Sequence, residues 1–243
     1  MSGHSHWAGI RHHKGINDAK RAALFTKAGR DVTLAAQKGG DPETNFRLRL
    51  AIEAARAVNM PKDNIERAIK KGTGELSEGA RLEEIMYEGF GPGHVAILIE
   101  TATDNKNRTV SELKSLLLKN AGKMGASGSV SFLFKRVGEL VFPLASYDRE
   151  ALELAAIEAN ALDFVVAQPN LVLYTESNAL ESIRQRMLQS GFSSISVRLA
   201  YLPRESVELE REGAQAFVSF LEKVEDHPDV QTVWDNRNTA TIR

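Results

Sequence analysis

The chain has 243 residues, 42% hydrophobic and 26% charged, with no cysteine and a formal net charge of −1. This composition fits a soluble globular protein of two or three small domains in a reducing cytoplasm, and it excludes a disulfide scaffold, a thiolate metal centre and a cysteine nucleophile. The near-neutral total conceals a split, because residues 1–72 hold 14 Lys and Arg against 7 Asp and Glu, whereas residues 73–243 hold 17 against 25.

A basic segment joined to an acidic body points to a polyanionic partner, because phosphates attract clustered Lys and Arg and release counterions when bound. The first dozen residues, with His4, His6, Trp7, His12 and His13, read as an arm. Trp7 can stack on a base, or it can anchor the arm on an apolar surface. The histidines lack a helical i,i+4 pair and any Cys, so no metal is expected there. The arm has no apolar signal core, and no apolar run reaches the roughly 18–20 residues that span a bilayer. No membrane partner is expected.

A helix is predicted from about Asp18 to Lys38, with Leu24, Phe25, Ala28, Val32 and Ala35 on one arc. Lys20, Lys27 and Lys38 fall on a separate line with Arg30 nearby. Gly39-Gly40 stops this helix, and Asp41-Pro42 reads as the N-cap and first turn of a second helix running to about Val58. Phe46, Leu50, Ala54 and Val58 form its apolar side. Pro61 opens a third helix that ends at Gly72. The three helices predict a small bundle with a cationic exterior. Its nucleic-acid-binding candidates are Lys14, Lys20, Arg21, Lys27, Arg30, Arg47, Arg49, Lys62, Arg67, Lys70 and Lys71. Arg47 and Arg49 lie about 200° apart on a helix, so at most one faces a given ligand. Phosphate contacts from such a set are salt-sensitive and largely blind to sequence.

After a polar linker at Thr73–Gly79 the period changes. Strands are predicted at Glu84–Gly89 and Val95–Thr101 around the turn Gly91-Pro92-Gly93. A helix follows at Arg108–Asn120 and a strand at Ser129–Phe134. The Gly-rich connection between them lacks the GK[ST] ending of a phosphate loop, although its N–H groups and Lys123 could meet an anion. A strand at Glu139–Phe142, a helix at Asp148–Ala161, strands at Phe164–Ala167 and Leu171–Thr175, a helix at Ala179–Ser190 and a strand at Ser194–Leu199 give βαββαβ, a ferredoxin-like order. A strand near Ser206–Leu209, a helix at Ala214–Val224 and a strand at Val230–Trp234 complete the chain.

The expected fold is therefore α+β. A basic three-helix domain (1–79) precedes a discontinuous α/β domain (80–135 and 200–243), into which a βαββαβ domain (136–199) is inserted. No catalytic constellation emerges: Ser127 lacks a nucleophile elbow, and the acids around His227 read as a capping turn. No cofactor or small-molecule substrate is expected.

Several longer runs carry a resemblance. They are Gly3-His4-Ser5-His6-Trp7, Lys14 with Asp18, the stretch from Asn59-Met60-Pro61-Lys62-Asp63 to Lys71-Gly72, Tyr87-Glu88-Gly89-Phe90-Gly91-Pro92-Gly93, Thr103-Asp104-Asn105-Lys106-Asn107-Arg108-Thr109, Gly128-Ser129-Val130 and Glu225-Asp226-His227 with Asp229-Val230-Gln231. Together they resemble the YebC/PmpR family over nearly the full length. The resemblance implies three domains, with one α/β domain inserted in the other. It also implies a cytoplasmic protein described as a probable DNA-binding transcriptional regulator. Equally, it implies kinship with a mitochondrial translational activator of cytochrome c oxidase subunit I, and hence a ribosome-associated factor that binds rRNA and relieves stalling on proline-rich sequences. Two positions depart from the pattern: His94 stands where a glycine is usual, and Pro228 where an acid is common.

Overall fold

A computed structural model describes residues 18–76 and 80–238, with side chains from Arg21 onward. Two compact units emerge, one comprising the described residues up to Leu133 together with those from Glu205, the other Phe134–Arg204.

The first unit begins with three helices, α1 (Asp18–Ala36), α2 (Phe46–Ala57) and α3 (Lys62–Thr73). Ala28, Val32, Ala35, Leu48, Ile52, Ala55, Met60, Ile65 and Ala68 make their shared core. Val32 and Ala35 lie on the predicted arc of α1. Helix α3 sits very close to α1, since a Cβ on Gly72 would lie 2.3 Å from the Thr33 carbonyl oxygen. The Thr33 hydroxyl donates to the Ala68 carbonyl at 3.2 Å across the same contact.

The start of α2 differs from expectation. Its N-cap is Asn45, whose side-chain oxygen accepts the Leu48 N–H at 3.1 Å. The Asn45 amide also donates to the carbonyls of Ala35 and Gly39, tying the end of α1 to the start of α2. Asp41 instead closes a local turn by accepting the Glu43 N–H. The tertiary tie from Asn45 outweighs the local Asp-Pro signal.

The same unit contains strands β1 (Glu83–Phe90), β2 (Ala96–Thr103), β3 (Lys123–Met124) and β8 (Val230–Asp235), with helices α4 (Lys106–Lys119) and α7 (Arg211–Glu225). The sheet order is β3-β1-β2-β8, antiparallel throughout. Ile97, Ile99, Leu113, Leu117, Phe217, Phe220, Val224 and Val233 form its core with the two helices. The turn between β1 and β2 places His94 at φ 59°, in the left-handed region that favours glycine.

The strand expected at Ser129–Phe134 does not form. The N–H groups of Val130 and Ser131 donate to the Glu88 carboxylate at 2.7 and 2.9 Å, so they are lost to any ladder. Ser131–Leu133 makes a single 3-10 turn instead, and the next strand starts at Phe134. The strand expected near Ser206–Leu209 reduces to one bridge between Val207 and Arg237.

The second unit is β4 (Phe134–Pro143), α5 (Arg149–Glu158), β5 (Asp163–Ala167), β6 (Asn170–Glu176), α6 (Leu180–Gln189) and β7 (Ser196–Pro203). Its antiparallel order β5-β6-β4-β7 is the split βαβ arrangement of ferredoxin-like folds. Leu180 packs on Gly138, where a Cβ would lie 2.7 Å from its side chain. No helix among the described residues is long and apolar enough to cross a membrane.

Gly72→Ala should lower stability by about 2 kcal/mol, because backbone rather than a flexible side chain blocks the added methyl. Urea unfolding with an unchanged m-value checks this.

Candidate nucleic-acid interface

The predicted cations fall into two groups. The first faces protein. Lys27, Arg30, Leu34 and Gln37 recur along one side of α1, nearly opposite the bundle core. Lys27 Nζ donates to the Glu225 carbonyl at 2.7 Å. Arg30 Nη1 donates to the carbonyls of Ala102 and Pro228 and to Asp229 Oδ1 at 2.9 Å. Leu34 packs with Leu82 and Ala102, and Gln37 donates to the Leu82 carbonyl. This side of α1 docks the helical bundle on the sheet. Burial lowers the Lys27 pKa, and the opposing pull of Glu225, Asp226 and Asp31 is smaller.

Asp229 is the centre of this contact. It is 1% exposed and accepts hydrogen bonds from Arg30, from Arg108 Nη2 at 2.8 Å and from the Thr109 hydroxyl at 2.7 Å. Burial alone would raise its pKa. The Arg108 and Thr109 hydrogen bonds and the Arg30 charge overcome that and hold it at about 2. His227 Nδ1 accepts the Asp229 N–H at 3.2 Å, and its Nε2 meets Glu112 Oε2 at 3.0 Å. The runs Thr103–Thr109 and Glu225–Asp229 therefore meet in an ion-pair junction. Among the described residues no group of three or more His, Cys, Asp or Glu could hold a metal ion.

Arg47 also faces protein. Both of its terminal nitrogens bond the Glu84 carboxylate, one at 2.8 Å. Arg49 donates to the carbonyls of Pro42 and Glu43 and lies 5.9 Å from the Phe46 ring centre.

The second group faces solvent and centres on α3. Ile65, Ala68 and Gly72 line its inner side, while Lys62, Arg67, Lys70 and Lys71 are all exposed on the outer half of the helix. Lys62 meets Glu66 only loosely, at 3.5 Å, and remains 85% exposed. A pair so open to water contributes little and leaves the ammonium available. Arg21 is exposed near the start of α1, and so is Arg56 at the end of α2. Trp7 and Lys14 lie outside the described residues, as does the side chain of Lys20.

The Gly-rich connection after α4 is already occupied. Glu88, 7% exposed, accepts N–H donors from Gly128, Val130 and Ser131 at 2.7, 2.7 and 2.9 Å. Burial would raise its pKa, but these three donors prevail and lower it. The anion that the N–H groups of this loop meet is the chain's own carboxylate. Sequence reasoning passed over both Glu88 and Asp229. The signal for Glu88 was a lone acid inside the Gly-rich run Tyr87–Gly93, whereas Asp229 was hidden among the acids around His227.

Comparison with known proteins gives a consistent result. Residues 5–75 match the TACO1/YebC protein N-terminal domain, and residues 82–237 match the TACO1/YebC second and third domain. A "Probable transcriptional regulatory protein" of Treponema denticola is 46% identical over 237 residues, covering 97% of this chain and 96% of the relative. One of Chloroflexus aurantiacus is 48% identical over 240 residues, covering 97% and 95%. The crystal structure of a conserved hypothetical protein from Aquifex aeolicus superposes with a TM-score of 0.88 at 41% identity, covering 96% and 97%.

Asp229→Ala should destabilise the protein by about 3 kcal/mol, because it takes the buried carboxylate from Arg30 and the Thr109 hydroxyl and leaves Arg108 only its exposed partner Asp104. In the native protein, a depressed carboxylate pKa contributes stability at pH values above the unfolded value of about 4. That contribution is lost as pH falls toward about 2. Denaturant midpoints between pH 6 and 2 should therefore fall more steeply for the native protein than for Asp229→Ala.

Proposed function

The chain belongs to the TACO1/YebC family, and from that membership we propose a non-enzymatic regulator of gene expression that grips nucleic acid through the outer face of α3. The observation that carries this reading is the exposed set Lys62, Arg67, Lys70 and Lys71 on a helix whose inner side is locked to α1. Exposed cations on a helix already fixed to its neighbour neutralise phosphates without the entropy cost of ordering a loop. Arg67, Lys70 and Lys71 lie within about 100° of one another around that helix. Arg21 extends the cationic surface. Lys27, Arg30 and Arg47 belong to the docking contacts and support the interface by holding its scaffold.

The name carried by the relatives favours transcription, and with it our reading takes DNA as the partner, in the cytoplasm and without a cofactor. A second reading, a ribosome-associated translation factor on rRNA, is supported by the make-up of α3. Asn64 is its single Asn or Gln, whereas base readout in a major groove draws on several such side chains together with Arg. Backbone contact suits a folded RNA as well as a duplex.

Lys70→Glu/Lys71→Glu should weaken binding to duplex DNA and reduce the log–log salt slope by about two units. Titrations of promoter DNA, random DNA and an rRNA fragment at several salt concentrations read both effects. An unchanged slope in a folded double variant overturns the interface. Equal affinity for the two DNAs, with tighter rRNA binding, decides for translation.

A further inference from the structure

The loop pinned by Glu88 presents one feature that the interface proposed on α3 does not use. Lys123 and Met124 pair with Phe90 and Gly89 of β1. The Gly125 N–H donates to the Glu88 carbonyl at 2.8 Å. The Glu88 carboxylate then takes the N–H groups of Gly128, Val130 and Ser131. A Cβ on Gly125 would lie 2.3 Å from the Ser129 hydroxyl, and Gly128 turns at φ 82°. The segment from Lys123 to Ser131 is thus fixed at both ends by three consecutive residues of one strand.

Next in the chain is Phe132, which is 66% exposed. Its neighbours at two residues' distance, Val130 and Phe134, are 0% and 5% exposed. A hydrogen bond from the Leu133 N–H to the Val130 carbonyl at 2.9 Å closes the turn that carries the ring. A single exposed apolar residue is ordinary on a protein surface. This one stands on a support that keeps a charged carboxylate out of water, a placement tolerated only because every donor is aimed at it.

We propose that Phe132 is a stacking platform for one unpaired base of a single-stranded nucleic acid, held in place by the loop that Glu88 pins. The proposal rests on the nucleic-acid reading above and adds a site separate from α3. The make-up of the loop before it favours this partner over a protein. Ala126, Ser127, Gly128 and Ser131 are exposed and small, and they add almost no apolar area. A protein interface buries roughly 800 Å² on each side around an apolar centre. One ring face is enough for one base, and stacking accepts any base. Exposed Lys123, at the other end of the same loop, supplies a cation for a neighbouring phosphate.

The test uses the full chain and a 12-nucleotide single strand, as RNA and as DNA, with one 2-aminopurine. Binding should quench the 2-aminopurine fluorescence. Phe132→Ala and Phe132→Leu should weaken single-strand binding about tenfold and abolish the quenching, while Phe132→Trp retains both. Affinity for a duplex of equal length should stay unchanged in all three. Because the ring is exposed, melting temperatures should not move. Unchanged single-strand affinity and quenching in Phe132→Ala overturn the proposal and leave the ring to a protein contact, with the α3 reading intact. If the wild-type chain binds neither single strand nor duplex, both readings fall together.

Discussion

A buried carboxylate, Asp229, holds the first unit together. It draws Arg30 from α1 and Arg108 and Thr109 from α4 to the entrance of β8. Each of these groups would be penalised if buried alone. Gathered around one acid they satisfy one another, and the helical bundle acquires a defined seat on the sheet. Lys27, Gln37 and the Arg47–Glu84 pair extend the seat along the same contact. The orientation of α3, and with it the exposed lysines of its outer half, depends on that seat.

The cations of the basic segment therefore divide by task. Those on the sheet-facing side of α1, with Arg47, bond protein partners, whereas Lys62, Lys70 and Lys71 on the outer half of α3 are exposed. Net charge alone cannot separate the two, since a guanidinium counts the same in either place. What distinguishes them is whether a carbonyl or carboxylate from distant sequence has come within reach. For Arg30 that partner lies 199 residues away.

That distance explains what could be read from the sequence. The three helices, the βαββαβ order and the apolar arc of α1 were legible because their signals repeat within a few residues. The cap at Asn45 was not, since it is decided by contacts to Ala35 and Gly39 on the preceding helix. The failed strand at Ser129–Phe134 has the same cause at longer range. Its alternation is real, but Glu88 claims its amides. Lys62, Arg67, Lys70 and Lys71 were among the cations expected on the exterior of the bundle, where nothing in the sequence set them apart from Lys27, Arg30 and Arg47. Lys27 and Arg30 shared a line on α1 that reads equally well as a wet face or a docking face. The quoted runs around Glu88 and Asp229 prove to be partners across the fold: Tyr87–Gly93 with Gly128–Val130, and Thr103–Thr109 with Glu225–Asp229.

The position of β8 has a consequence for biosynthesis. It supplies an edge of the first sheet beside β2, and the residues just before it carry the carboxylate and carbonyls that receive Lys27 and Arg30. The leading helices leave the ribosome long before these late residues exist. The second unit, whose strands are contiguous, can close while translation continues. During that interval Lys27 and Arg30 lack the acceptors that Glu225, Pro228 and Asp229 supply. The nascent chain is thus more basic on its surface than the finished protein, and it loses that excess only when the last strand zips into place.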